Sequence, residues 1–185
     1  MTEENKSAAK ICFNFGLLIS GALIAAIMIF LRKDSSILIN HQLDNVNYMI
    51  CISGLFITIR KLRSDIFPFI TYWQSVLAGL FTICIAAIPL SVCLYFVLSD
   101  SPEIITNALG IIEKTFESNN VTGKETKTII SLYKAIASPA FLSFSNFINK
   151  VFMGFFFSLI LSSFLSRRKY LPSKNNSTNF DNKEQ

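Results

Sequence analysis

Four cysteines, one histidine and a few glutamates are the side chains here best equipped for chemistry, and their spacing argues against most of it. Cys12, Cys51, Cys84 and Cys93 could bind a soft metal. They share no C-x-x-C, and the single histidine, His41, sits in a loop with no cysteine beside it. A metal site needs such ligands clustered, so the cysteines read as small buried hydrophobes. Glu113, Glu117 and Glu125 could offer a carboxylate pair for acid–base work. They fall instead on a helical face expected to be solvated. There is no G-x-S-x-G, H-E-x-x-H, P-loop or dinucleotide fingerprint. The expectation is a protein that is not an enzyme, with no cofactor and no metal.

Those residues sit in or between four long apolar runs: Ile11–Leu31, Val46–Ile59, Tyr72–Leu98 and Val151–Leu165. None contains Asp, Glu, Lys, Arg or His. The chain of 185 residues is 51% hydrophobic and 16% charged, with mean hydropathy +0.47, too apolar for an ordinary soluble domain. Backbone can cross lipid only as a helix or a closed barrel, because hydrocarbon offers no partner to a bare N–H or C=O. The fold class expected is therefore an all-α membrane protein, an antiparallel bundle of four transmembrane helices. The first run exceeds the apolar core of a secretory leader and is followed by Arg32-Lys33-Asp34 rather than a cleavage site, so it reads as a retained anchor.

A spanning helix needs about 20 residues. Spans are expected over 11–31, 43–61, 72–98 and 146–165. Pro89 predicts a kink in the third, since it removes a donor and collides with the preceding turn. The second run is short, and its alternative is a surface or re-entrant helix. The fourth must reach back to Asn146, which puts Lys150 about one turn inside the boundary. A charge at the bilayer centre costs about 2.5–3.5 kcal/mol, so Lys150 is expected to snorkel toward the headgroups.

Charge orients the bundle. With four crossings and the N-terminus inside, ten of the 17 Lys and Arg lie on the inner side and seven outside. Three crossings would reverse that ratio, so the positive-inside rule favours four, with both termini cytoplasmic. Tyr48 and Tyr95 then fall at the outer interface, and Tyr72, Trp73 and Tyr170 at the inner one. The net charge of +5 sits beside membrane ends and forms no basic stripe with stacking aromatics, so nucleic acid is not expected as a partner. Arg60, Lys61 and Arg63, with Arg167, Arg168 and Lys169, are candidate anionic-lipid contacts that also fix topology.

Between the third and fourth spans an extracytoplasmic helical hairpin is expected over 102–137. Ser101-Pro102-Glu103 starts its first helix, and Ile104, Ile105, Ala108, Leu109, Ile112 and Phe116 form one stripe. Thr122-x-x-Glu125 reads as a capping box for the second helix, and Ser138-Pro139 as its end. Residues 1–10 are read as a cytoplasmic tail, 11–170 as the membrane domain, and 171–185 as a disordered cytoplasmic tail.

Small residues recur four apart: Gly16 and Ser20, Gly21 and Ala25, Ser75 and Gly79, then Gly154, Ser158 and Ser162. In lipid such stripes let helix backbones approach closely. Packing within the bundle is preferred to dimerisation. Asn14 and Gln74 could bond to each other, but headgroup contact explains them more simply. The spans hold no buried acid or histidine of the kind proton relays use.

The layout resembles a bacterial family of small integral membrane proteins known as domain of unknown function 4199. The residues that carry the resemblance are Ile70-Thr71-Tyr72-Trp73-Gln74-Ser75-Val76-Leu77-Ala78-Gly79, the exit Asp100-Ser101-Pro102-Glu103, and Gly154 through Lys169, closing in Arg-Arg-Lys. Ile66-Phe67 stands where members often carry a glycine pair. The resemblance implies a bacterial inner membrane and four helices, and it supplies no activity. The functional expectation is a non-enzymatic interaction or accessory module with the lipid bilayer, a second copy or another membrane protein as partner. Its alternative is a facilitator or channel for a small solute, with a polar path near Asn14, Ser53, Thr82 and Ser158.

Overall fold

A computed structural model describes residues 3–33, 37–67, 70–118 and 124–165. These form six α-helices and one short 3-10 turn, with no strand among the described residues. The helices are α1 (Glu3–Lys33), α2 (His41–Asp65), α3 (Tyr72–Asp100), α4 (Glu103–Ser118), α5 (Lys124–Ile136) and α6 (Pro139–Leu165), with the 3-10 turn at Ile37–Ile39. Three of them, α1, α3 and α6, are long and apolar enough to cross a membrane. Helix α2 has 25 residues, but Asp44 stands near its start and Arg60, Lys61, Arg63 and Asp65 near its end.

Helix α3 is the centre of the bundle. It packs most extensively on α6 and then on α1, while α2 lies against α1, α6 and α3. The core runs through Ile19, Leu23, Leu55, Ile83, Leu90, Leu94 and Leu98. The outside is as apolar as the inside: Leu18 and Met49 are each 67% exposed, Leu77 62% and Phe164 80%. A water-soluble protein rarely leaves so much contiguous apolar surface bare. Hydrocarbon is the solvent such a surface fits.

Local signals explain where the helices start. Glu3 and Glu4 lie in the first turn of α1, where negative charge meets the positive helix end. The chain is thus helical from Glu3, so residues 3–10 form the first turns of α1. Asn40 caps α2, its Oδ1 accepting from Gln42 N–H at 2.9 Å and Leu43 N–H at 3.3 Å. Thr71 and Gln74 form a capping box on α3, with N–H groups bonded reciprocally at 3.4 and 3.1 Å. Gln74 is thus used by its own helix end, and Asn14, the residue it could have bonded, is exposed on the outer surface.

Ser138-Pro139 opens α6 instead of merely ending the preceding helix. Ser138 Oγ accepts from Phe141 N–H at 3.2 Å, and Pro139 takes the first helical position, where no donor is needed. So α6 begins seven residues before Asn146. Helix α3 continues through Pro89 as one helix to Asp100. The expected capping box at Thr122 falls outside the described residues, as do Arg167, Arg168, Lys169 and the whole of 171–185.

Helix α4 buries Ile104, Ile105 and Ala108 and packs on the 3-10 turn and on α5. Helix α5 leaves Leu132 60% and Tyr133 51% exposed.

Candidate functional site

The small residues fall into two groups. On α3 and α6, Ser75, Gly79, Gly154, Ser158 and Ser162 are all buried and face one another. Ser162 Oγ donates to Ser75 Oγ at 2.8 Å. A Cβ added at Gly154 would stand 2.5 Å from Ile83 Cγ2, and one at Gly79 would strike the Ser158 hydroxyl. The glycines are there because the two backbones come too close for anything larger. Gly16 and Ser20 are also buried, and a Cβ at Gly16 would lie 2.8 Å from Ile85 Cγ2 on α3. Gly21 and Ala25 face outward, and a Cβ at Gly21 would meet nothing within 4 Å.

The polar residues expected to mark a solute path do not converge. Asn14 and Ser53 are exposed on the outside of the bundle, whereas Thr82 and Ser158 are buried within it. Thr82 Oγ1 donates back to Ala78 O at 2.8 Å, as Thr58 Oγ1 does to Gly54 O. These threonine hydroxyls are satisfied by their own helix and need no ligand, whereas Ser158 Oγ is buried with no hydrogen-bond partner among the described residues.

The basic groups at the C-terminal end of α2 serve local structure. Arg63 Nη1 donates to the carbonyl of Leu165 at 3.2 Å, tying α2 to the last turn of α6. Lys61 pairs with Asp65 at 2.9 Å in an exposed i,i+4 bridge. That bond, with one from Ser64, holds the Asp65 carboxyl below the usual carboxylate range. Arg60 is exposed. Among the described residues no three His, Cys, Asp or Glu side chains gather closely enough to hold a metal ion.

Polar groups do gather at the opposite end of α2. Asp44 and Asn47, three apart, share a face of α2, and Asn146 and Lys150, four apart, share a face of α6. With Asn149 and Ser145 they line a chamber of about 290 Å³ walled by Ile27, Leu43 and Leu94. Lys150 is only 6% exposed, so it turns inward and does not snorkel. Its nitrogen stands 5.5 Å from the centre of the Tyr48 ring, which is braced edge-on by Phe157 at 6.1 Å. Lys150 makes no ion pair or hydrogen bond among the described residues. Two further groups are orphaned beside it: Asn47 Oδ1 and Asn146 Nδ2 are buried without a hydrogen-bond partner among the described residues.

Sequence reasoning found Lys150 but not the chamber. The signal was available as asparagines and Asp44 at helical spacing on the two helix faces; what was hidden is that those faces meet. A larger cleft, about 510 Å³, lies between the C-terminal ends of α1 and α3, but its charged groups, Arg32 and Asp100, are exposed.

A helical bundle with an apolar exterior and a closely packed small-residue seam defines a membrane-protein class and no reaction. Within that class the chain belongs to the family described as Protein of unknown function (DUF4199), which it matches over residues 14–167. No curated protein and no solved structure matches it.

Proposed function

We propose that this chain is a four-span protein of a bacterial inner membrane, with both termini cytoplasmic, that works without catalysis as an interaction or accessory module. One observation carries the reading. Helix α2 packs against all three of the apolar helices, and its charged residues are confined to its end turns. At about 1.5 Å per residue its 25 residues reach roughly 37 Å, ample for a hydrocarbon core of about 30 Å. Arg60, Lys61 and Arg63 then lie at the cytoplasmic boundary, where lysine and arginine set orientation and meet anionic lipid, joined there by Arg167, Arg168 and Lys169. Helices α4 and α5 form the extracytoplasmic hairpin, the exposed face of α5 resting in the headgroup layer.

The interaction surface is the outward face of α1 around Gly21 and Ala25, the small-residue pair that the bundle leaves open. The partner there is a second copy or another membrane protein, and nucleic acid has no part. Topology is tested with reporters active only in the cytoplasm or only in the periplasm, fused after Lys33, at Asn119 and at the C-terminus. Periplasmic signal at the first two sites and cytoplasmic signal at the third is expected. Opposite compartments for the two termini would end the four-span reading. Purification in mild detergent should recover a homo-oligomer or a stoichiometric partner, and a lone monomer in every detergent would count against the module.

A facilitator of small solutes is the second reading, favoured by the polar chamber around Lys150. Flux of small solutes into liposomes holding the protein tests it.

A further inference from the structure

The chamber at Lys150 holds groups of both signs and keeps them apart. The ammonium of Lys150, 6% exposed, has the Tyr48 ring beside it and no carboxylate paired to it among the described residues. Asn146 Nδ2 is a buried donor with nothing to donate to among the described residues. Across the same chamber Asn47, 4% exposed, presents Oδ1 as an acceptor with no donor, and Asp44 adds a carboxylate at the exposed edge. A buried polar group without a partner is expensive, so two of them beside a lysine ammonium with no ion pair suit something that enters and satisfies them.

We propose that the chamber is a binding site for a small zwitterionic group. Its anionic oxygens meet Lys150 and Asn146 Nδ2, and its primary ammonium meets Asp44 and Asn47 Oδ1. A simple anion would be repelled by Asp44, and a simple cation by Lys150. A group carrying both charges satisfies both orphaned amide atoms and meets both charged side chains of the lining. The volume, about 290 Å³, sits at the low end of ligand sites, which suits a headgroup or an amino-acid-sized solute and is too small for a nucleotide cofactor. A quaternary ammonium fits poorly, because it has no N–H to give to Asn47 Oδ1. The shared chemistry is a primary ammonium a few bonds from an anionic oxygen group. It can come from phosphatidylethanolamine in the adjoining leaflet or from a free zwitterion in water. The site itself rests on packing alone, and the four-span reading only decides that it faces the extracytoplasmic side.

The test uses the full chain in nanodiscs with equal parts phosphatidylethanolamine, phosphatidylcholine and phosphatidylglycerol, with retained lipid read by native mass spectrometry. A second arm titrates glycerophosphoethanolamine and glycerophosphocholine calorimetrically against the chain in phosphatidylcholine nanodiscs. The wild type should prefer the ethanolamine species about tenfold in at least one arm, and that arm identifies the source. Asp44→Asn and Lys150→Met should each abolish the preference, with Lys150→Arg keeping part of it. Helical circular dichroism and gel filtration establish that each variant is folded, and Asp44→Asn, exposed, decides the matter should Lys150→Met misfold. No ethanolamine preference in either arm would overturn the site, as would a preference untouched by Asp44→Asn. The topology reporters are independent: termini in opposite compartments with ethanolamine selectivity intact sink the four-span reading alone, and the reverse result sinks only this site.

Discussion

Ser162 Oγ donates to Ser75 Oγ at 2.8 Å, both side chains fully buried at the contact of α6 with α3. One turn or so away, Gly79 faces Ser158, and Gly154 faces Ile83. This seam is the most extensive contact in the bundle, and it is built from small residues because lipid gives no hydrophobic reward for pairing helices. Close backbone approach, with the dispersion it allows, must supply the stability instead.

The seam should therefore respond to volume much more than to the loss of its hydroxyls. Ser162→Ala should cost about 1 kcal/mol or less. Gly154→Leu, which drives a side chain into Ile83, should cost several times that or prevent assembly. Gly21→Leu, at an open position on the outer face of α1, should leave thermal unfolding in detergent unchanged while reducing any self-association. Equal destabilisation by Gly21→Leu and Gly154→Leu would show that the α3–α6 contact is not the seam.

Much of the architecture is legible in the sequence, for a physical reason. Spanning lipid requires a long apolar run, so α1, α3 and α6 announce themselves in composition alone. Helix α2 is harder, because its last turns carry Arg60, Lys61 and Arg63 and only one stripe of its middle, Asn47, Cys51, Leu55 and Thr58, is buried. Ser138-Pro139 is ambiguous between a stop and a start, and its use as the cap of α6 depends on the apolar stretch C-terminal to it. The two stripes of α1 have the same spacing, yet Gly16 and Ser20 turn inward while Gly21 and Ala25 turn outward. Spacing gives a face, and only the neighbouring helix decides which face is covered. Lys150 is visible as a charge in an apolar stretch, but its inward turn depends on α2 presenting Tyr48 and Asn47.

Helix α5 should lie in the headgroup layer with its apolar face down. An environment-sensitive dye on a cysteine at Leu132, introduced into a chain whose four native cysteines are replaced by alanine or serine, should be quenched by lipids brominated near the glycerol. The same dye at Lys134, exposed and in the last turn of the helix, should be quenched by aqueous iodide instead. Equal aqueous quenching at both positions would place α5 away from the membrane. Leu132→Asp should shift the first position toward water without altering the overall helix content.

Acid should weaken the C-terminal end of α2 through Asp65. The Lys61 ammonium, followed by Ser64, holds this carboxyl below its ordinary value of 3.8 in the folded protein. A depressed folded value stabilises at pH above the unfolded one and loses that support as pH falls through the folded one. The loss therefore lies below about pH 4 and is small, since the group is fully exposed. Asp65→Asn should flatten the acid limb of the unfolding profile slightly and change nothing at neutral pH. A clear loss at pH 7 would mean that Asp65 does more than pair with Lys61.

Lys150 should prove a liability for stability where no suitable ligand is present. Its ammonium is buried with no direct ion pair among the described residues, Asp44 standing only at the exposed edge of the same chamber, and a poorly compensated buried charge opposes folding. Methionine has similar reach and no charge. In pure phosphatidylcholine nanodiscs Lys150→Met should be as stable as wild type or more stable, by up to about 1–4 kcal/mol. With phosphatidylethanolamine added, wild type should gain stability by mass action, and the variant should not. The difference between the two lipids separates a binding group from a structural one. A large loss for Lys150→Met in phosphatidylcholine would make the lysine part of the scaffold, held by Tyr48 and the asparagines whatever the lipid.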